Sequence, residues 1–212
     1  MTIVNGYCTL AQLRSEIGSY EVADTGDDAK LELSIEAASR QIDGFCGRRF
    51  WQDSEVKIRE YDADSSRVCF VDDISTVTGL IVKLDEAGDG TYGTTVTVST
   101  DFILQPRNAA DEVPARPYSE IWLVDNYGFP CSSSGRAGVQ VTARFGWPAV
   151  PDDVEKACLI QAAQLFKAKD APFGVAFGVG FEGAGSSALR VWSRLNPLAE
   201  TLLMPYRKPA IG

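Results

Sequence analysis

Histidine is absent from this chain, and that absence limits what its other reactive side chains can do. Imidazole is the commonest general base near neutral pH and the commonest protein metal ligand. Without it, Ser-His-Asp and Cys-His nucleophile systems and imidazole zinc sites are ruled out. Carboxylate pairs, lysines and thiols remain. The 29 Asp and Glu residues are plentiful, but acid–base work needs two carboxylates placed together with separated pKa values. Nothing in the sequence singles out such a pair. The five cysteines, Cys8, Cys46, Cys69, Cys131 and Cys158, are scattered with no C-x-x-C spacing, so no zinc knuckle or redox motif is expected. They read as reduced thiols, some buried, in a protein made in a cytoplasm.

Gly178-Val179-Gly180-Phe181-Glu182-Gly183 spells G-x-G-x-x-G. That fingerprint works when a strand leads in and a helix N-terminus leads out toward a pyrophosphate. Here a helix and Ala171-Pro172 lead in, and too little chain follows for another βαβ unit, so a loop is expected instead. Its Phe173, Phe177 and Phe181 are costly to leave in water, which points to a contact with a neighbouring molecule that orders the loop. Asp85, Glu86 and Asp89 lie among glycines, but EF-hand spacing and a terminal bidentate Glu are missing, so a solvated hairpin tip is expected. Arg48, Arg49 and Trp51 could touch nucleic acid. Cations also suit a helix C-terminus, and that is the reading preferred here.

The elements that would hold these residues fall into three segments. Residues 1–50 are helical. Thr9 and Gln12 form a capping-box pattern, with Leu10, Leu13 and Ile17 at helical spacing before Gly18. A second helix opens at Asp27-Asp28, carries an apolar stripe of Leu31, Ile35, Ala38, Ile42 and Phe45, and ends near Gly47. Residues 51–147 change to short β-rich runs: 56–61, 67–71, 80–84, 94–99, 121–124 and 139–145, separated by Gly, Pro and Ser turns. Residues 148–212 return to helix. Pro148, Pro151, Asp152 and Asp153 start one that is apolar on most sides from Val154 to Lys169, which asks for cover from several directions, a neighbouring subunit included. Asn196 then Pro197 start a short last helix, closed by Pro205. The fold class expected is α+β: a helical core, 1–50 with 148–212, and a small antiparallel β-sheet or barrel inserted as 51–147.

Composition sets further bounds. A formal charge of −9 and a pI near 4.6 argue against a protein that clings to phosphates. No apolar run reaches membrane-span length, and MTIVNGYCTL lacks the basic-then-apolar pattern of a secretory signal. The stretch 190–212 stands apart, with Arg190, Arg194, Arg207 and Lys208 against Glu200 alone. A basic tail on an acidic protein fits an electrostatic docking arm.

At three places the chain resembles a known family, the head-tail connector (adaptor) proteins of long-tailed bacteriophages. These are the helix pair ending in Cys46-Gly47-Arg48-Arg49-Phe50, the stretch Phe145-Gly146-Trp147-Pro148-Ala149-Val150-Pro151-Asp152-Asp153-Val154, and the tail Arg194-Leu195-Asn196-Pro197 to Leu202-Leu203-Met204-Pro205-Tyr206-Arg207. The resemblance covers both helical segments; the β segment matches only in kind and position. It implies a non-enzymatic structural subunit of a virion neck, assembled in the host cytoplasm, with no cofactor and no metal. Its partners would be further copies in a ring, usually twelve, then the portal protein and the next neck or tail-terminator protein. DNA would pass through the lumen without specific binding, and no membrane would be involved. The docking arm expected on this basis comprises Arg190, Trp192, Arg194, Leu195, Leu198, Leu202, Leu203, Tyr206 and Arg207, since Arg, Trp and Tyr are enriched at interface hot spots. With −9 per copy, the lumen wall is expected to be acidic or neutral, so that DNA slides without sticking. The alternative from a different class is a monomeric carbohydrate- or peptide-binding module that uses the β segment.

Overall fold

The computed structural model describes residues 3–18, 25–124, 127–130, 137–168, 175–176, 189–190 and 195–208. The chain divides into two compact units, Met1–Arg48 with Val150–Gly212, and Arg49–Ala149.

The first unit is helical. Helix α1 (Leu10–Ile17) starts where Thr9 Oγ1 accepts from the Gln12 amide at 3.2 Å while Gln12 Oε1 accepts from the Thr9 amide at 2.7 Å. Two of the amides that a helix start leaves unpaired are thereby satisfied. Helix α2 (Asp28–Cys46) stops at Gly47, whose left-handed backbone (φ 65°) lets its N–H reach the Asp43 carbonyl at 2.9 Å. Its stripe Leu31, Ile35, Ala38 and Ile42 is buried. The final step of the stripe is taken by Cys46, while Phe45 stays half-buried beneath the Arg207 guanidinium. Helix α3 (Asp152–Ala168) packs against α1, α2 and α4 (Pro197–Leu203). These three neighbours bury Val154, Ala157, Cys158, Leu159, Gln161 and Ala162, so the chain itself supplies much of the cover that this apolar helix requires. Ile160, Ala163, Leu165 and Phe166 remain half-buried. Asn196 caps α4 by accepting from the Leu198 amide at 2.9 Å, with Pro197 in the first turn.

The second unit carries seven strands in two antiparallel sheets: β1 (Lys57–Tyr61), β2 (Val68–Ile74), β3 (Ile81–Leu84), β4 (Thr94–Val96), β5 (Phe102–Gln105), β6 (Tyr118–Leu123) and β7 (Val139–Ala143). The first sheet runs β1-β7-β3-β4 and the second β2-β6-β5. The sheets do not close into a barrel, so of the two arrangements expected from sequence it is the open one that forms. Strand β5 was absent from that expectation. Its four residues sit between an Asp and a Pro, too short a run to show a period. The inner faces meet on one apolar core that includes Cys69, Ile74, Leu84, Phe102, Ile121, Val141 and Phe145, the usual outcome when two sheets each bury one face. A last pair of two-residue strands, β8 (Val175–Ala176) and β9 (Leu189–Arg190), is antiparallel.

Candidate functional site

Residues from two stretches singled out in the sequence, Phe50 and Phe145-Gly146-Trp147, meet inside the β-rich unit. The Phe50 and Trp147 rings lie 5.2 Å apart and tilted by 50°, and both are buried. The Asp53 amide donates to the Phe145 carbonyl at 2.8 Å. Gly146, at φ 107°, passes so close to the Trp51 carbonyl that a Cβ would overlap it. Only glycine tolerates that combination of conformation and approach. This F-G-W stretch is therefore a packing joint and carries no chemistry of its own.

Beside the joint lies a cluster of charged side chains. The side chain of Asp53 is wholly buried and accepts from Arg49 Nη2 at 2.6 Å and Lys57 Nζ at 2.8 Å, with Arg59 at 4.0 Å. Burial works against its charge, but the hydrogen bonds and positive charge of Lys57 and Arg49 outweigh that and hold the carboxyl below its usual range. Arg49 also stacks over Trp51 at 4.1 Å, and Arg59 over Phe145 at 4.2 Å while ion-paired to Asp72. The preferred reading of Arg49 as a helix cap is thus overturned: Gly47 ends α2, and Arg49 serves the buried carboxylate. Sequence reasoning missed Asp53, Lys57 and Arg59; the i,i+4 spacing of Arg49, Asp53 and Lys57 was the one available hint.

The acidic loop has a structural use. Asp85 is buried, and its carboxylate accepts from the amides of Gly88 (2.8 Å), Asp89 (3.3 Å) and Gly90 (2.7 Å). The solvated hairpin tip that was expected forms, with Glu86 and Asp89 exposed between β3 and β4; Asp85 alone departs from it, turning inward to pin the turn as short Asx-type side chains do. Among the described residues no group of three or more Cys, Asp or Glu is placed to hold a metal ion. No helix among them is long and apolar enough to cross a membrane.

Exposed apolar surface lies on the outer face of the β2-β6-β5 sheet. Paired positions put Val68, Trp122 and Ile103 in one row and Phe70, Glu120 and Gln105 in the next. Phe70 and Trp122 are 44% and 41% exposed, high for rings of this size, although Trp122 Nε1 donates to Glu120 Oε2 at 2.6 Å. Beside this face opens a cavity of about 280 Å³ lined by Val77, Val98, Ile103, Leu104, Arg107 and Tyr118. The other sheet presents exposed Ile58 and Ile81, each opposite Thr142 on β7.

The expected docking arm divides. Leu195, Leu203 and Tyr206 are buried inside the helical unit, where Tyr206 donates to Asp153 Oδ2 at 3.0 Å. The Asn196 amide donates to Gln161 Oε1, and the Lys208 amide to the Cys46 carbonyl at 2.9 Å. Leu198 and Arg207 are exposed and Leu202 is half-buried. Arg190 belongs to β9. Trp192, Arg194, Phe173, Phe177, Phe181 and the G-x-G-x-x-G stretch lie outside the described residues.

Burial pushes Cys46 and Cys69 up to about 12, and Cys8 and Cys158 sit with their sulfurs 3.4 Å apart.

No protein-family model matches the chain. No curated protein matches it. Solved structures do resemble it, and over its whole length. One is the neck of a native gene transfer agent particle computed with C12 symmetry, at TM-score 0.56 and 16% identity. Another is the neck of the empty particle computed with C6 symmetry, at 0.53 and 17%. A third is the virion of the native particle, at 0.51 and 20%. In each case the match covers 100% of this chain and 94% of the other. At such identities the fold is what is shared.

Proposed function

We propose that this chain is a structural subunit of the neck of a phage-like particle, one copy in a closed ring that joins the portal to the next neck or tail-terminator protein and continues the DNA channel. The observation that carries the reading is the end-to-end likeness to neck chains of particles computed with C6 and C12 symmetry. A ring needs two different, complementary surfaces on each copy. The exposed rows around Trp122 and Phe70, and the Leu198–Arg207 surface, supply contact material on the β-rich and the helical unit respectively. The subunit does no catalysis in this reading. Histidine is lacking, and the perturbed carboxylate, Asp53, is occupied by its own cations. Twelve copies, docking by the exposed part of the C-terminal arm around Leu198 and Arg207, an acidic or neutral lumen and assembly in the host cytoplasm complete the proposal.

Electron microscopy of the purified protein, alone and mixed with tail-less heads that carry their portal, tests it. Rings at the portal vertex and recovery of tail joining are expected. A chain that stays monomeric and leaves portal-bearing heads undecorated would overturn the reading. In that event a saccharide or peptide seated in the Val77–Tyr118 cavity becomes the reading to pursue.

A further inference from the structure

We propose that Cys8 and Cys158 form a latent disulfide, closed by a peroxide-class oxidant, that staples the N-terminal segment to α3. The inference stands apart from the neck reading and does not depend on it.

The geometry carries it. The two sulfurs are in contact at 3.4 Å although the residues are 150 apart in sequence, and theirs is the one thiol–thiol contact among the described residues. Both are buried. Cys69, by contrast, directs its sulfur at the Asp62 carbonyl, 3.9 Å away. The segment that Cys8 terminates lies along α2 without regular structure; Tyr7 and Cys8 are buried, the Arg40 guanidinium lies 5.9 Å from the Tyr7 ring centre, and the rest of its attachment is polar. The Val4 amide donates to Glu36 Oε1 at 2.8 Å, the Arg40 guanidinium to the Asn5 carbonyl at 3.0 Å, and the Tyr7 amide to Ser39 Oγ at 3.1 Å. A short segment outside any helix or strand opens locally more often than the whole unit unfolds, and such openings admit a small oxidant. Because the segment is itself mobile on opening, it can move Cys8 the remaining distance to bonding length.

The two thiols are also unequal. The hydrogen bond from Cys8, with support from Ser39, draws Cys158 down, whereas the same bond and burial push Cys8 up. Cys158 is thus the sulfur that ionises first. Its thiolate attacks hydrogen peroxide, the O–O bond breaks, and Cys158 sulfenic acid and hydroxide result; the hydroxide takes up the proton that Cys158 released. Cys8 then attacks the sulfenic sulfur, the S–O bond breaks, and its own proton leaves with the departing oxygen as water. In sum, two thiols and one peroxide become one disulfide and two waters.

The full-length chain, treated with hydrogen peroxide and blocked by alkylation before digestion, should give a peptide pair joined through Cys8 and Cys158, two hydrogen atoms lighter than the separate peptides. The melting temperature should rise by roughly 6–12 °C, because the link closes a long loop in the unfolded chain, and dithiothreitol should reverse the rise. C8S and C158S should each lose the shift and C46S should keep it. Should a serine variant fold poorly under reducing conditions, the wild-type peptide map alone decides. Linkage through Cys131 or another cysteine, separate sulfinic acids on Cys8 and Cys158, or both thiols surviving an oxidant that modifies Cys46 would each overturn the proposal.

Discussion

Leu203 and Leu198 sit on the same short helix, and the structure assigns them opposite fates when each is cut back to alanine. Leu203 is 0% exposed, whereas Leu198 is 59% exposed. Leu203→Ala removes three buried carbons, about 2.4 kcal/mol of transfer free energy at roughly 0.8 kcal/mol each. The cavity left behind raises the total to about 3–4 kcal/mol, since α3 and α4 can only partly collapse onto it. For a chain of this size that is a fall in melting temperature of roughly 10 °C. Leu198→Ala removes the same atoms from a position already in water and puts a better helix former there, so stability should move by less than about 0.5 kcal/mol. If the outer side of α4 docks on a partner, Leu198→Ala should instead weaken capture by portal-bearing heads roughly fivefold or more, the effect of losing about 1 kcal/mol at an interface. Differential scanning calorimetry and a head-binding assay on the same two samples separate the roles. A Leu203→Ala protein that melts with the wild type would refute the packing assigned to α4. Equal melting losses in both variants would refute the division between buried and exposed faces.

Three further outcomes are expected. Gly146→Ala should lower stability by about 2–4 kcal/mol, from a left-handed backbone and a Cβ forced onto the Trp51 carbonyl; urea unfolding measures it, and a neutral result would show that the joint can shift. Asp53→Asn should cost about 2 kcal/mol at neutral pH. Because the folded state holds this carboxyl below its usual range, its stabilisation is present above the ordinary aspartate pKa and is lost as pH falls through the depressed one. Melts of wild type and variant should therefore converge in acid, and a gap that widened on acidification would contradict the assignment. Cys46 and Cys69, pushed up to about 12 by burial, should resist iodoacetamide in the folded chain and react promptly in urea; fast labelling under native conditions would mean that their surroundings are open.

Features set by neighbours in sequence were legible before any coordinates. The Thr9–Gln12 capping box, the Asn196-Pro197 start of α4 and the stripe Leu31–Ile42 were legible because a cap or a helical face depends on residues three or four apart. Five of the seven strands of the β-rich unit lie wholly or largely within the runs read from sequence, and β6 overlaps the last half of its element, because turn residues bracket each run. Partner choice was not legible. Strand β7 inserts between β1 and β3, pairing Lys57 with Ala143 and Leu84 with Val139, and no local pattern encodes a pairing across that much chain. The same limit applied to the side chains of greatest interest. That Asp53 gathers Arg49 and Lys57, that Asp85 turns inward to its loop, and that Tyr206 points into its own unit at Asp153 are outcomes of tertiary packing. Composition and spacing list which groups a chain owns. Only the folded backbone decides which of them lose water together, and the cost of burying a charge or hydroxyl alone then determines which partner each must find.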